Sequence, residues 1–336
     1  MAMKIVVRTP NWLGDVLMAL PAIDSLRRNF PEAEVWLAGR PWLADLVSDG
    51  LGGGSVIPLS PPKNLRDLAR EATVLKSRRF DAALLLTNSF ASALLFQRAG
   101  IPERWGYRRD GRGLLLTKGV VRRDRGRTVH MVRYYLDLIE GLGFRTWPPE
   151  IRLAARPEDQ ARAREILRAA GADPARPLVI LNAGASYGPA KRWPPERFAA
   201  LGRRLADGHG AALVLTGAAE DVPTAEAILS LLERPAANLA GRTSLRELIG
   251  TISLAALFVT NDSGPMHLAD ALRVPVVAVF GPTDPAVTGP FHPPAVVLKK
   301  EAVCWPCLYR ECPYDHRCLV AVGADEAYAA AAEFLR

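Results

Sequence analysis

The chain is expected to be an α/β protein built from two doubly wound parallel sheets, and three observations lead there. Its 336 residues exceed one ordinary core and suit two domains. Short β-branched runs alternate with helical stretches, as parallel strands require, because each needs a long crossover to reach the next. The alternation pauses at a polar joint near Trp147-Pro148-Pro149 and then restarts. The expected parts are a first domain over 1–150, a linker over 151–176, a second domain over 177–323 and a terminal helix over 324–336.

Lys4–Arg8 reads as the opening strand. Val16, Leu17, Leu20, Ile23 and Leu26 recur at helical spacing, so Gly14–Asn29 is a helix, and Pro31 ends it. Glu34–Ala38 is the second strand, and Gly52–Leu59 holds a turn at Gly52-Gly53-Gly54 followed by a short strand. Leu65–Arg78 is helical, Ala82–Thr87 is a buried strand, and Met131–Gly141 is a helix closed by glycine. After a helix near Glu158–Ala170 the second half follows. Its strands are Leu178–Asn182, Ala211–Gly217, Leu257–Thr260 and Val274–Phe280. Helices are expected over Pro195–Asp207, Ser244–Thr251, Gly264–Leu272 and Ala324–Arg336. In such sheets ligands bind beyond the carboxyl ends of the strands, so the loops there are the ones to search.

Composition narrows the class. With 49% hydrophobic and 23% charged residues the chain has enough apolar surface to fold as a globular protein. It has no apolar run of about 18 residues, which excludes a membrane-spanning helix of the usual kind. The start, Met1-Ala2-Met3-Lys4-Ile5-Val6-Val7-Arg8, lacks the apolar core and cleavage site of a signal peptide, so a cytoplasmic location is expected. The net charge is +8. Between Arg98 and Arg133 stand 11 lysines and arginines against three acidic residues, a local excess equal to that of the whole chain. Such a block suits an anionic partner, whether phosphorylated lipid, membrane surface or nucleic acid, or is simply a solvated arginine-rich surface.

Six segments carry candidate chemistry. Asn11-Trp12-Leu13-Gly14-Asp15 joins the first strand to its helix without the G-x-G-x-x-G spacing of dinucleotide binders. Asp15 lies in the first helical turn, where a carboxylate either stabilises the helix dipole or serves as a general base. Asn182-Ala183-Gly184-Ala185-Ser186-Tyr187-Gly188-Pro189-Ala190-Lys191-Arg192-Trp193-Pro194 offers close backbone approach, the Ser186 hydroxyl and the Lys191 cation for phosphate. In Thr260-Asn261-Asp262-Ser263-Gly264-Pro265-Met266-His267 a strand turns into a helix. Ser263 and Gly264 leave backbone N–H groups for a diphosphate, Asp262 could hold sugar hydroxyls, and His267 either touches phosphate or packs in the core. Phe280-Gly281-Pro282-Thr283-Asp284-Pro285 and Thr216-Gly217-Ala218-Ala219-Glu220-Asp221 form further walls, with Glu220 or Asp221 a candidate for ribose hydroxyls. All four cysteines fall in Cys304-x2-Cys307-x4-Cys312-x5-Cys318, which suits a structural zinc site, with His316 a further ligand, or else free thiols in a loop.

Thr-Asn-Asp-Ser-Gly-x-Met-His followed by a strand and Gly-Pro-Thr-Asp-Pro resembles the signature of the heptosyltransferases, a family of inverting glycosyltransferases. The Gly14-Asp15 loop and Lys191 match the family pattern too. Gly188-Pro189-Ala190-Lys191-Arg192-Trp193-Pro194 and Thr87-Asn88-Ser89-Phe90 resemble the branch that adds the second heptose. The resemblance runs from Met3 to about Pro290 and leaves the cysteine segment unmatched. It implies a GT-B fold, two Rossmann-like domains facing a central cleft. It also implies ADP-L-glycero-D-manno-heptose as donor on the second half and heptosyl-Kdo2-lipid A as acceptor on the first. Asp15 becomes the base, Lys191 the diphosphate contact, and Asp262 and His267 donor contacts. No cofactor is required for the chemistry. The acceptor is phosphorylated and lies at an anionic membrane surface, so Arg104, Arg108, Arg109, Arg122 and Arg123 become acceptor contacts, and the enzyme is expected to sit peripherally on the cytoplasmic membrane's inner face. The same family with another acceptor is the nearest rival. Nucleic-acid binding would leave the sugar-nucleotide loops unexplained, and a nicotinamide enzyme would need the missing glycine fingerprint.

Overall fold

The computed structural model describes residues 2–47, 55–60, 62, 64–122 and 128–336. The expected Gly52-Gly53-Gly54 turn and Arg123 lie outside them. The chain divides into two compact units, Met1–Ile151 and Arg152–Arg336.

The first unit carries six strands: β1 (Lys4–Arg8), β2 (Glu34–Gly39), β3 (Val56–Pro58), β4 (Ala82–Leu85), β5 (Glu103–Tyr107) and β6 (Lys118–Val120). They form one parallel sheet in the order β3-β2-β1-β4-β5-β6. Central parallel strands are covered on both faces and must be apolar throughout, and Ile5–Val7 and Ala82–Leu85 are all fully buried. In register, Val6 faces Trp36 on one side and Ala83 on the other. The helix Leu13–Asn29 packs along the helix Met131–Gly141. Near the sheet edge Phe30, Trp105 and Phe144 form an aromatic cluster with ring centroids 5.1–5.9 Å apart. Strands β5 and β6 fall inside the stretch Arg98–Arg133 that the sequence presents mainly as a basic block.

The second unit repeats the plan with β7 (Leu178–Asn182), β8 (Ala212–Thr216), β9 (Ala236–Asn238), β10 (Leu257–Asn261), β11 (Val276–Phe280) and β12 (Ala295–Lys299). Their order is β12-β11-β10-β7-β8-β9, all parallel. Counted within each unit, this is the same 3-2-1-4-5-6 order, that of the doubly wound dinucleotide fold. The winding reverses between β1 and β4 in one sheet and between β7 and β10 in the other. Loops leaving the carboxyl ends at such a reversal splay apart and leave a crevice for ligand.

Of the segment 151–176, expected as a linker, Ile151 ends the first unit and residues 152–176 belong to the second. Its helix Pro157–Ala169 rests on the helix Leu245–Ser253. The approach is so close that a Cβ on Gly250 would lie 2.3 Å from the Asp159 carbonyl oxygen. Arg162 Nε reaches Glu247 Oε1 at 3.2 Å across the same contact. The terminal helix Ala324–Ala332 is likewise docked, on Pro195–His209, with the Arg204 guanidinium 3.8 Å from the Tyr328 ring centroid. Among the described residues no helix is long and apolar enough to cross a membrane.

Trp193 joins this core to the ligand-facing loops. Its ring is fully buried and packs edge-on against Phe198, with centroids 4.9 Å apart. Its indole N–H donates to the Val322 carbonyl at 3.0 Å, and its backbone N–H donates to Asn261 Oδ1 at 3.0 Å. Trp193→Ala should lower stability by about 3–5 kcal/mol, as large-to-small core changes do; urea denaturation followed by circular dichroism measures it.

Candidate active site

In the first unit the loop after β1 is held from beneath. The buried Arg8 side chain donates to the Thr9 carbonyl at 2.7 Å and to Asn11 Oδ1 at 2.8 Å. Burial, with Arg40 nearby, lowers its pKa to about 10. That clamp sets where the helix Leu13–Asn29 begins. Trp12 occupies the N-cap position and has no side-chain oxygen to cap with, so Asp15 is the acidic group of the first turn. Asp15 is half-buried. Beside it stands Tyr135, whose phenol is pushed well above its ordinary value by burial and then by the Asp15 charge. The phenol therefore stays neutral next to a carboxylate.

Across the winding reversal, the loop after β4 is pinned by Arg112, a fully buried arginine that sequence reasoning passed over. Its guanidinium donates to the Thr87 and Tyr107 carbonyls and to Asn88 Oδ1 at 3.3 Å. Asn88 in turn donates to the Tyr134 hydroxyl at 2.7 Å. Burial lowers the Arg112 pKa to about 10. Gly106 makes room for it, since a Cβ there would lie 2.9 Å from Nη2. Ser89 caps the following helix, accepting from the Ser92 N–H.

The five expected acceptor arginines separate. Arg104 is occupied by the protein itself, donating to the Leu115, Ile101 and Pro102 carbonyls; it serves as a brace, because its donors are already bound to backbone. Arg122 lies over the Tyr134 ring, 5.3 Å from its centroid. Arg108 and Arg109 are exposed and line a cavity of about 360 Å³.

In the second unit the loops after β7 and β10 are stapled by two asparagines at the strand ends. Asn261 donates to the Ala183 carbonyl at 2.7 Å while accepting from Trp193 N–H. Asn182 donates to Thr260 Oγ1 at 3.1 Å and to Ser263 Oγ at 3.2 Å. This staple brings Lys191 to Asp262. Nζ lies 2.5 Å from Oδ2, both side chains are buried, and the Thr283 hydroxyl donates to the same oxygen at 2.6 Å. The ammonium also lies 4.7 Å from the Tyr187 ring centroid. Immediately after Asp262 the helix Gly264–Ala271 starts with Pro265 in its first turn. A buried cation thus stands beside a helix N-terminus, two features that favour a phosphate anion. Ser263 turns its hydroxyl inward, 2.9 Å from Thr260 Oγ1, and caps no backbone group of its own helix. His267 is buried within the helix, and Ser186 is exposed on the Lys191 loop.

The buried Asp221 accepts from Arg192 Nη2 at 2.9 Å and from the Ala218 N–H at 3.0 Å, so each of its oxygens has one partner that fixes the loop. Gly184 is obligatory beside it, as a Cβ would fall 2.1 Å from Oδ2. Glu220 is exposed.

Cys304, Cys307, Cys312 and Cys318 line one small cavity of about 10 Å³. Among the described residues no group of three or more His, Cys, Asp and Glu side chains is disposed to hold a metal ion. The metal-free arrangement does not confirm the expected zinc. Burial, with the three neighbouring cysteines, raises the Cys318 thiol. The segment also works through its backbone. Leu308 accepts from the Tyr187 hydroxyl at 2.6 Å and donates to the Pro282 carbonyl at 3.0 Å, Arg310 accepts from Ala190 N–H at 3.0 Å, and the Trp305 indole donates to the Thr283 carbonyl. It straps the loop bearing Lys191 to the loop bearing Thr283.

Removing one member of a buried ion pair strands the other, at a cost of about 3–5 kcal/mol. Lys191→Met should therefore destabilise the protein by that order, and Lys191→Met/Asp262→Leu should recover part of the loss. Thermal melts of both variants measure the coupling.

Comparison with known proteins bears on this arrangement. The family model described as glycosyltransferase family 9 (heptosyltransferase) matches residues 68–317. Lipopolysaccharide heptosyltransferase 2 of Escherichia coli K12 is 34% identical over 309 residues, 88% of each chain. Lipooligosaccharide heptosyltransferase 2 of Haemophilus ducreyi is 32% identical over 88% of each. The solved structure of the E. coli ADP-heptose LPS heptosyltransferase II superposes with a TM-score of 0.85 at 30% identity, covering 99% of this chain and 98% of that one. The fold class is the GT-B one, the protein is a glycosyltransferase, and the chain belongs to glycosyltransferase family 9, the heptosyltransferases.

Proposed function

We propose that the protein transfers L-glycero-D-manno-heptose from ADP-heptose to heptosyl-Kdo2-lipid A, with inversion at the anomeric carbon. The observation that carries the reading is the pairing of two sites. A first-turn carboxylate, Asp15, lies at the winding reversal of one sheet. A buried lysine beside a helix N-terminus, Lys191, lies at the reversal of the other. The likeness to the E. coli and Haemophilus heptosyltransferase 2 proteins supports the choice of donor and acceptor.

In this mechanism the Asp15 carboxylate accepts the proton of the acceptor hydroxyl. That oxygen attacks the heptose anomeric carbon from the face opposite ADP, the carbon–oxygen bond to the β-phosphate breaks, and ADP leaves. Lys191 and the N–H groups at Ser263 and Gly264 stabilise the charge that gathers on the diphosphate. Asp262 holds Lys191 beside the helix N-terminus and takes donor hydroxyls when the diphosphate draws the ammonium away. Ser186 and His267 complete the donor contacts. Arg108, Arg109 and Arg122 meet the anionic groups of the acceptor, and Arg104 acts by bracing them. The enzyme works peripherally at the inner face of the cytoplasmic membrane, without nucleic acid.

The deciding experiment supplies ADP-heptose with either Kdo2-lipid A or its heptosylated form and follows ADP release and product mass. Heptose should be added to the heptosylated form; addition to Kdo2-lipid A alone would assign the preceding step of the same family. Asp15→Ala should slow transfer by about 10²- to 10⁴-fold and leave ADP affinity, read by calorimetry, nearly unchanged. Turnover near the wild-type value would reduce Asp15 to a helix-end residue. The reaction should run undiminished in EDTA; a loss restored by added zinc would return the cysteines to a metal role.

A further inference from the structure

Among the described residues of the first unit, six large apolar side chains are exposed: Trp12, Leu65, Val74, Phe90, Leu114 and Val121. Leu65 and Val74 lie on one helix. The other four each follow the carboxyl end of a strand, after β1, β4, β5 and β6 respectively, and those strands are neighbours in the sheet. Trp12 is 53%, Phe90 48%, Leu114 95% and Val121 56% exposed. At about 4.8 Å per strand the row extends roughly 15 Å along one edge of the sheet. Isolated exposed apolar residues are common and mean little, but a row of them has a cause.

Leu114 is the clearest member, because the turn that carries it is rigid. Asp110 and Gly111 both have positive φ, at 50° and 73°. The next residue, Arg112, is the buried guanidinium tied to Thr87, Asn88 and Tyr107, and Leu115 is buried too. The chain is thus anchored on either side of a leucine that it holds out in water. Arg108 and Arg109 flank it and share with Asp110, Gly111, Gly113 and Leu114 the cavity of about 360 Å³, two guanidinium groups against one carboxylate. An apolar tip beside guanidinium groups suits a partner with anionic phosphates lying directly over hydrocarbon.

We propose that the end of this edge beyond β5 and β6, away from the winding reversal beside Trp12 and Phe90, is a bilayer-docking face, on which Leu114 enters the acyl region and Arg108 and Arg109 take lipid phosphates. The charge complementarity commits it to an anionic leaflet rather than to a second copy of this basic chain. The proposal extends the reading of the acceptor as a membrane lipid, but its main test needs no turnover.

Co-sedimentation with phosphatidylcholine vesicles, with and without phosphatidylglycerol, tests it. Wild type should bind the anionic vesicles and lose them as salt rises. Leu114→Ser should weaken that binding about tenfold or more, and Arg108→Gln/Arg109→Gln should remove the preference for the anionic lipid. Melting temperature and ADP affinity should stay constant in both, since these side chains are exposed. A second arm separates lipid from sugar: Leu114→Ser should raise KM for a vesicle-borne acceptor and not for its deacylated form. The proposal is overturned if wild type ignores phosphatidylglycerol vesicles, if Leu114→Ser binds them as wild type does, or if KM rises equally for both acceptors. Absence of turnover on either acceptor would count against the heptosyltransferase step and leave the vesicle result standing.

Discussion

Lys191 and Asp262 form a buried ion pair with Nζ and Oδ2 2.5 Å apart, and much of the second unit is arranged to keep it. Two charges taken from water are costly unless their geometry and remaining hydrogen bonds are nearly ideal. Thr283 satisfies one oxygen lone pair, the Tyr187 ring faces the ammonium, and the asparagines at the ends of β7 and β10 fix the two loops that bring the pair together. The pair is weak evidence for stability and better understood as a device of position. It stores a cation, already desolvated, where a helix begins. Under the proposed donor role, an arriving diphosphate competes with a carboxylate for that cation and does not have to strip it of water.

The first unit solves a related problem with arginines that hydrogen-bond to neutral acceptors. Arg8 and Arg112 are both buried, both spend their donors on backbone carbonyls and an asparagine, and both have pKa values lowered to about 10. Each pins a loop at the winding reversal, Arg8 under the Asp15 loop and Arg112 under the Thr87–Asn88 loop. Guanidinium is suited to this, since its planar fork reaches several acceptors at once and it is less strongly hydrated than ammonium.

How much of this could be read from the sequence follows from the chemistry of each segment. Central strands such as Ile5–Val7 and Leu178–Asn182 are buried on both faces, so their apolar runs announce them. Strand β5, Glu103-Arg104-Trp105-Gly106-Tyr107, lies near a sheet edge and has no such run, and its arginine drew it into the basic block. The candidate residues Asp15, Lys191 and Asp262 were legible because short motifs at strand ends place them. The uses of the arginines were not, because brace, ring contact and free surface look alike in one dimension: Arg104, Arg122 and Arg108 differ only in what surrounds them. Position alone makes Asp221 a candidate ligand group, and its hydrogen bonds from Arg192 and the Ala218 N–H show only in three dimensions. The cysteine spacing suggests metal, while the backbone hydrogen bonds of that segment are not encoded in side-chain identity.

The strap formed by residues 305–310 has a consequence for the order in which the protein is made. Domains tend to fold as units while the chain leaves the ribosome from its N-terminus. The first unit, with Asp15 and its two arginine clamps, is complete by Ile151. The Lys191 loop emerges midway, yet its backbone bond to Arg310, its tyrosine bond to Leu308 and the Trp193 indole bond to Val322 all wait for the last stretch of chain. The nascent protein therefore completes the Asp15 loop early and the Lys191 loop last. A polypeptide stalled before Arg310 would carry a folded first unit and an unfastened lysine, and under the proposed donor role of Lys191 it would not yet hold a nucleotide sugar.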